Sequence, residues 1–191
     1  MNICLYGASS TELDARYYED AYALGALLAV RGHRLIFGGG AQGIMGAAAR
    51  GVHDAGGESI GIAPRFFEKP GILDHNCTEF IYTDTMQERK RLMIERSDAF
   101  VMAPGGIGTY EEFFEVLTLK QLGQHNPALA VFNTLHYYDP MLTMLEHTAQ
   151  QGFAKPVCLQ IFRVFRQPEP LLDYLEQYDP AEIDVRHIKN I

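Results

Sequence analysis

The chain has 191 residues, 47% of them hydrophobic and 21% charged. That length suits one domain over residues 1–191, and the balance excludes a disordered, collagen-like or coiled-coil chain. Sixteen Lys and Arg against 24 Asp and Glu leave a formal charge of −8, which argues against nucleic acid or an anionic membrane as partner but not against a small anionic ligand sampling a local field.

Asn2–Tyr6 is a short apolar strand that breaks at Gly7-Ala8-Ser9-Ser10. Leu13, Tyr17, Ala21, Leu24 and Leu28 recur at helical spacing, predicting a helix over Leu13–Arg31 that Gly32 stops. Arg34–Phe37 is a second strand, ending in Gly38-Gly39-Gly40, and Gly43–Ala55 is a helix of small residues. Ser59–Ala63 is a strand, Pro64–Thr78 a long irregular loop of the kind that often carries function, and Glu79–Thr83 a strand. Met86–Ser97 is a helix, Ala99–Ala103 a strand broken by Pro104-Gly105-Gly106, and Thr109–Gly123 a helix. Ala128–Phe132 (strand), Asp139–Gln151 (helix), a β-rich run over Val157–Phe165 and a final helix over Pro168–Tyr178 complete the order, with a polar tail over 179–191. This alternation predicts a Rossmann-like, doubly wound α/β fold: a mostly parallel sheet with helices on both faces and a ligand at the carboxyl ends of the strands. Gly7–Ser10, Gly38–Gly43 and Pro104–Thr109 all fall at that edge.

Cys4, Cys77 and Cys158 are odd in number and far apart, which suits neither a disulfide framework nor a zinc site. Cys4 and Cys158 lie in apolar runs and are expected to be buried. The seven histidines lack ligand spacing, so no metal is expected. There is no basic stretch ahead of an apolar segment at the start, nor an apolar run near the ~20 residues that span a bilayer. The expectation is a cytoplasmic protein.

Three segments carry chemistry, the third being Gly38–Gly46 after the second strand. Pro104-Gly105-Gly106-Ile107-Gly108-Thr109-Tyr110-Glu111-Glu112 follows a strand and opens a helix. Its glycines let main-chain N–H groups approach a ligand, and the helix start favours phosphate. It is neither the dinucleotide fingerprint nor a Walker A loop, which points to a monophosphate. The plain structural alternative is a helix start at which Thr109 and Glu112 form a capping box. The second segment is Met86-Gln87-Glu88-Arg89-Lys90-Arg91-Leu92-Met93, where Met86, Arg89, Lys90 and Met93 share a helix face. Two cations between methionines are drawn towards a cleft, and Arg89, Lys90, Arg91 and Arg96 form a local positive patch suited to phosphate. Ser9, Ser10, Phe66, Phe67, His75 and Cys77 are weaker candidates. The three glycines after the second strand allow close backbone approach.

These motifs, with the upstream GGGAQGIMG and the stretches EVLTLKQLG and QQGF, resemble the Lonely Guy (LOG) family, cytokinin riboside 5′-monophosphate phosphoribohydrolases long labelled lysine decarboxylases. The resemblance implies a homodimer that hydrolyses the N-ribosidic bond of a purine nucleoside 5′-monophosphate without a cofactor. By position, Arg89 and Glu112 are the implied catalytic pair. Lys90, Gly105, Gly106, Ile107, Gly108, Thr109 and Thr118 match nucleotide-binding positions. Gln87 stands where plant-like members commonly have His, and Phe66–Leu73 departs from the plant pattern, with Glu68 as a substitute for its acidic residue. A non-catalytic nucleotide or molybdenum-cofactor carrier on the same fold is the alternative. A decarboxylase would need a Schiff-base lysine for pyridoxal phosphate, and no sequence context marks one.

Overall fold

A computed structural model of the chain describes residues 1–181. All but the first three residues of the expected polar tail lie outside them. The strands are β1 (Asn2–Tyr6), β2 (Arg34–Phe37), β3 (Ser59–Pro64), β4 (Glu79–Thr83), β5 (Ala99–Met102), β6 (Ala128–Phe132) and β7 (Arg163–Phe165). The helices are α1 (Ala15–Val30), α2 (Gly43–Asp54), α3 (Met86–Glu95), α4 (Ile107–Gln121), α5 (Asp139–Gln150) and α6 (Pro168–Gln177). The strands form one sheet in the order β4-β3-β2-β1-β5-β6-β7, and every neighbouring pair is parallel. This is the doubly wound α/β fold that the alternation predicts.

The strand order decides where a ligand can sit. From β1 the chain steps outward to β4, then α3 carries it back to β5, on the other side of β1. The connections after β1 and β5 therefore diverge to opposite faces and leave a crevice between them, the usual binding place in open parallel sheets. The central strands are buried on both faces, which explains their unbroken apolar runs. One core layer joins Leu5, Phe37 and Val101 to α1, α2 and α6, and the other joins Cys4, Ile36 and Phe100 to α3, α4 and α5.

Three local expectations change. α1 begins at Ala15 because the Asp14 carboxylate caps it, accepting from Arg16 N–H at 3.0 Å. The small residues of α2 serve close packing against α1 as well as the sheet. A Cβ on Gly25 would strike the Ala48 backbone, and one on Gly51 the Tyr22 backbone. The run over Val157–Phe165 is only partly strand. Pro156 starts a 3-10 turn through Leu159, and three residues, Arg163–Phe165, pair with β6. Proline has no N–H for a ladder and suits the first position of a helical turn. Cys158 falls in that turn and is half-buried, accepting a hydrogen bond from Gln121 Nε2 at 3.1 Å, whereas Cys4 is fully buried as expected. Among the described residues no helix is long and apolar enough to cross a membrane.

Candidate active site

β5 ends at Met102 and the chain turns through Pro104 into α4, whose N-cap is Gly106. The helix starts at Ile107, two residues earlier than the sequence predicts. Thr109 and Glu112 are consequently helix-interior positions, and the alternative reading of them as a capping box is not realised. Their side chains are buried at the crevice instead, at 4% and 8% exposure. The same T-x-x-E pattern does cap α3: Thr85 Oγ1 accepts from Glu88 N–H at 3.1 Å, and Glu88 Oε2 accepts from Asp84 N–H at 2.9 Å.

That cap sets the start of α3 and so the face on which Arg89 falls. Arg89 is 6% exposed and points inward alongside Met93. Its Nε donates to the Ile62 carbonyl at 3.1 Å, and its Nη1 donates to Glu112 Oε1 in a buried ion pair. The two motifs, 23 residues apart in sequence, therefore meet. Burial raises the Glu112 carboxyl above the usual glutamate range, and the Arg89 charge opposes that rise. The glycine after β2 explains how so large a group fits. A Cβ on Gly38 would lie well inside contact distance of Arg89 Nη2 and 3.3 Å from its Cζ. A few residues on, Gly43 takes φ +66° where a Cβ would strike the Ala8 carbonyl, so the start of α2 sits directly on the loop after β1.

The pair lies in the wall of a cavity of about 700 Å³ at the β1–β5 crevice. Gly7–Ser10 line one side and Gly106, Gly108 and Thr109 another. A strap from the long loop closes the far side with Phe67, Lys69, Ile72 and Leu73. The strap is tied down by main-chain bonds from Ala41 N to Ile72 O (2.9 Å) and from Asp74 N to Gly39 O (2.8 Å). Met45, Phe67, Ile72 and Met86 give that wall an apolar character. Lys69 is a cavity cation that makes no ion pair among the described residues. Nothing in the sequence distinguishes it from an ordinary surface lysine.

The other sequence candidates are placed as follows. Lys90 is outside the cavity, bound to Glu111 and, at 3.1 Å, to Glu115. Arg91 pairs with Glu95 and Arg96 with Glu79, both at 2.9 Å. The positive patch is thus neutralised by carboxylates of α3 itself, α4 and β4. Ile107 is 88% exposed, and Thr118 is exposed on α4 away from the cavity. Gly105 lies behind the lining residues. Phe67 lines the cavity, whereas Phe66 and Glu68 do not. Cys77 donates to the Asp74 carbonyl at 3.1 Å, its thiol pushed up to about 11 by burial, and His75 packs near the Phe80 ring. Among the described residues no cluster of three or more His, Cys, Asp and Glu side chains could hold a metal ion.

Residues 45–175 match a family model described as "Possible lysine decarboxylase". The cytokinin riboside 5′-monophosphate phosphoribohydrolase LOG2 of Arabidopsis thaliana is 35% identical over 182 residues, covering 95% of this chain and 85% of that protein. The cytokinin riboside 5′-monophosphate phosphoribohydrolase of Rhodococcoides fascians is 42% identical over 142 residues, 74% of this chain and 72% of its own. Among solved structures, the molybdenum cofactor binding protein from Rippkaea orientalis superposes with a TM-score of 0.69 at 22% identity, over 92% of this chain and 94% of that one. At that identity the likeness is one of fold. The buried Arg–Glu pair beside the glycine-rich helix start, the family match and the identity to these enzymes over 95% and 74% of the chain lead to one conclusion: the chain belongs to the Lonely Guy family, whose model carries the older lysine decarboxylase description.

Proposed function

We propose that this protein hydrolyses the N-ribosidic bond of purine nucleoside 5′-monophosphates, cytokinin ribotides or AMP, to free base and ribose 5-phosphate. One observation carries the reading. Arg89 and Glu112 form a buried pair in the wall of a nucleotide-sized cavity whose other wall is the Gly106–Thr109 helix start. The 5′-phosphate sits against the free N–H groups of that helix start, where the dipole end is positive. Glu112 lies about one helical turn further on, which puts its carboxylate near the ribose rather than the phosphate.

Cleavage builds positive charge on C1′ and the ring oxygen as the C1′–N9 bond lengthens. The Glu112 carboxylate stabilises that charge and takes a proton from the water that attacks C1′. The bond's electron pair leaves with N9, and a proton returns to the base. Arg89 holds the carboxylate in place and orients the nucleotide. The main-chain groups of Gly106, Gly108 and Thr109, which line the cavity, form the proposed binding set, and Lys90, Gly105, Ile107 and Thr118, off the cavity wall, are not part of it. The apolar strap wall suits a purine and an alkyl substituent on it.

Homodimerisation belongs to the same reading. Action in the cytoplasm belongs to it also. The test is incubation of the purified protein with AMP and with isopentenyladenosine 5′-monophosphate, following free base and ribose 5-phosphate by chromatography. Release of both products from either nucleotide is expected. A protein that binds nucleotide and releases no base would be a carrier, and the catalytic reading would fall.

A further inference from the structure

The segment between β5 and α4 has its carbonyls tied down one after another. Ala103 O accepts from the Tyr138 hydroxyl at 2.7 Å and Pro104 O from Ala8 N–H at 3.0 Å. Gly105 O accepts from the Tyr137 hydroxyl at 2.8 Å, and Gly106 O from Tyr110 N–H at 3.0 Å. A trans peptide points its C=O and N–H in opposite directions, so fixing one fixes the other. Gly106 lines the cavity, Tyr137 does not, and Gly106 N–H has no acceptor among the described residues. Glycines on both sides of that peptide leave it otherwise free to rotate.

The tyrosines are presented by the turn after β6. Asn133, fully buried, donates from Nδ2 to Asp139 at 2.7 Å, accepts from Tyr138 N–H at 2.7 Å, and is tied through its own N–H to Phe165 O. Leu135 and His136 adopt φ of 52° and 62° to complete the turn. Such backbone is strained for residues with a side chain and persists where the surroundings over-determine it. Tyr137 packs edge-on against Tyr17 of α1, which fixes its ring without using its hydroxyl.

We propose that Tyr137 is a positioning residue for phosphate recognition: its hydroxyl holds the Gly105–Gly106 peptide so that Gly106 N–H faces the cavity. This deepens the proposed function and rests on it. Removing the hydroxyl lets the peptide rotate, and the phosphate then meets a carbonyl in part of the population.

The test is Tyr137→Phe, with Tyr22→Phe as a matched loss of a surface hydroxyl bond to Asp54. Ribose 5-phosphate is titrated into each protein and followed by the Gly106 amide resonance. Adenosine, which lacks the phosphate, is titrated alongside. Tyr137→Phe is expected to weaken ribose 5-phosphate about tenfold, to leave adenosine within twofold, and to raise KM for the monophosphate with little change in kcat, the pattern of lost uniform binding. Tyr22→Phe should change none of these. Unchanged ribose 5-phosphate affinity in Tyr137→Phe, an equal loss for adenosine, or a wild-type Gly106 amide that ignores ribose 5-phosphate would each overturn the proposal. If ribose 5-phosphate weakens as expected while no nucleotide is cleaved, the catalytic reading fails and the positioning role stands.

Discussion

Gly38→Ala perturbs the site without touching a charged residue. Gly38 is not in the left-handed region, so alanine suits its backbone. The new methyl, however, would occupy space held by Arg89 Nη2, with Arg89 Cζ and Met45 Sδ each 3.3 Å away. Arg89 cannot yield freely, because its Nε is bound to Ile62 O at 3.1 Å and its Nη1 to Glu112. At least one of those charge-assisted bonds must break or lengthen. A hydrogen bond to a charged group contributes about 1.5–3 kcal/mol, so kcat/KM for the nucleotide should fall roughly 10- to 150-fold. The assay is a double-mutant cycle on kcat/KM using Gly38→Ala, Arg89→Ala and the double variant. In the Arg89→Ala background the methyl has no guanidinium to displace and should cost less than about threefold. An activity within twofold of wild type for Gly38→Ala, or the same loss with and without Arg89, would refute the reasoning.

Glu112→Gln keeps the shape and an acceptor for Arg89 but loses the counter-charge, so kcat should fall by about 10²-fold or more, with a loss of Tm smaller than that of Arg89→Ala because the guanidinium keeps a hydrogen bond; near-normal turnover would remove Glu112 from the chemistry. The acid limb of wild-type kcat/KM should lie above the ordinary glutamate value of about 4.3, because burial raises the Glu112 carboxyl and activity needs it ionised. A limb at or below that value would contradict the assignment. Arg89→Ala strands a buried carboxylate and should destabilise the fold by about 3–5 kcal/mol near neutral pH, and by less towards pH 4, where a carboxyl raised by burial carries less charge; differential scanning calorimetry at both pH values checks this. Lys120 is fully buried, its Nζ donating to Pro127 O and the Tyr178 hydroxyl, and its pKa is lowered to about 7 by desolvation. Between that value and the unfolded lysine value the unfolded chain binds more protons, so this group's contribution to stability improves as pH rises, by at most about 1.4 kcal/mol per unit. Lys120→Met should therefore compare more favourably with wild type at pH 6 than at pH 9, and a difference in Tm independent of pH would contradict the burial account.

Much of the site could be read along the chain. The 3.6-residue period of α3 put Met86, Arg89, Lys90 and Met93 on one face, of which Arg89 and Met93 are buried while Lys90 is held outside the cavity by Glu111 and Glu115, and the Pro-Gly-Gly after β5 marked a strand end that opens a helix. The choice between a capping box and a cavity for Thr109 and Glu112 could not be read, since it turns on where α4 begins. The sequence rule for a cap fits both T-x-x-E stretches, at Thr85 and at Thr109, and only the first is realised. Lys90, Arg91 and Arg96 show a second limit. Their carboxylate partners include Glu111 and Glu115 on α4 and Glu79 on β4, so a positive patch in the sequence becomes a set of ion pairs in the fold.

By itself the sequence determined the alternation of strands and helices, the glycine-rich strand ends and the residues that share a face of α3, because each depends on periodicity or on the conformational range of one residue. The tertiary structure decided which groups meet. It brought Arg89 to Glu112 over the vacant Cβ of Gly38, Lys69 and Phe67 to the cavity rim, and the Tyr137 hydroxyl to the Gly105 carbonyl. Those meetings follow from strand order: β5 lies beside β1 and not β4, and no local pattern encodes that neighbour.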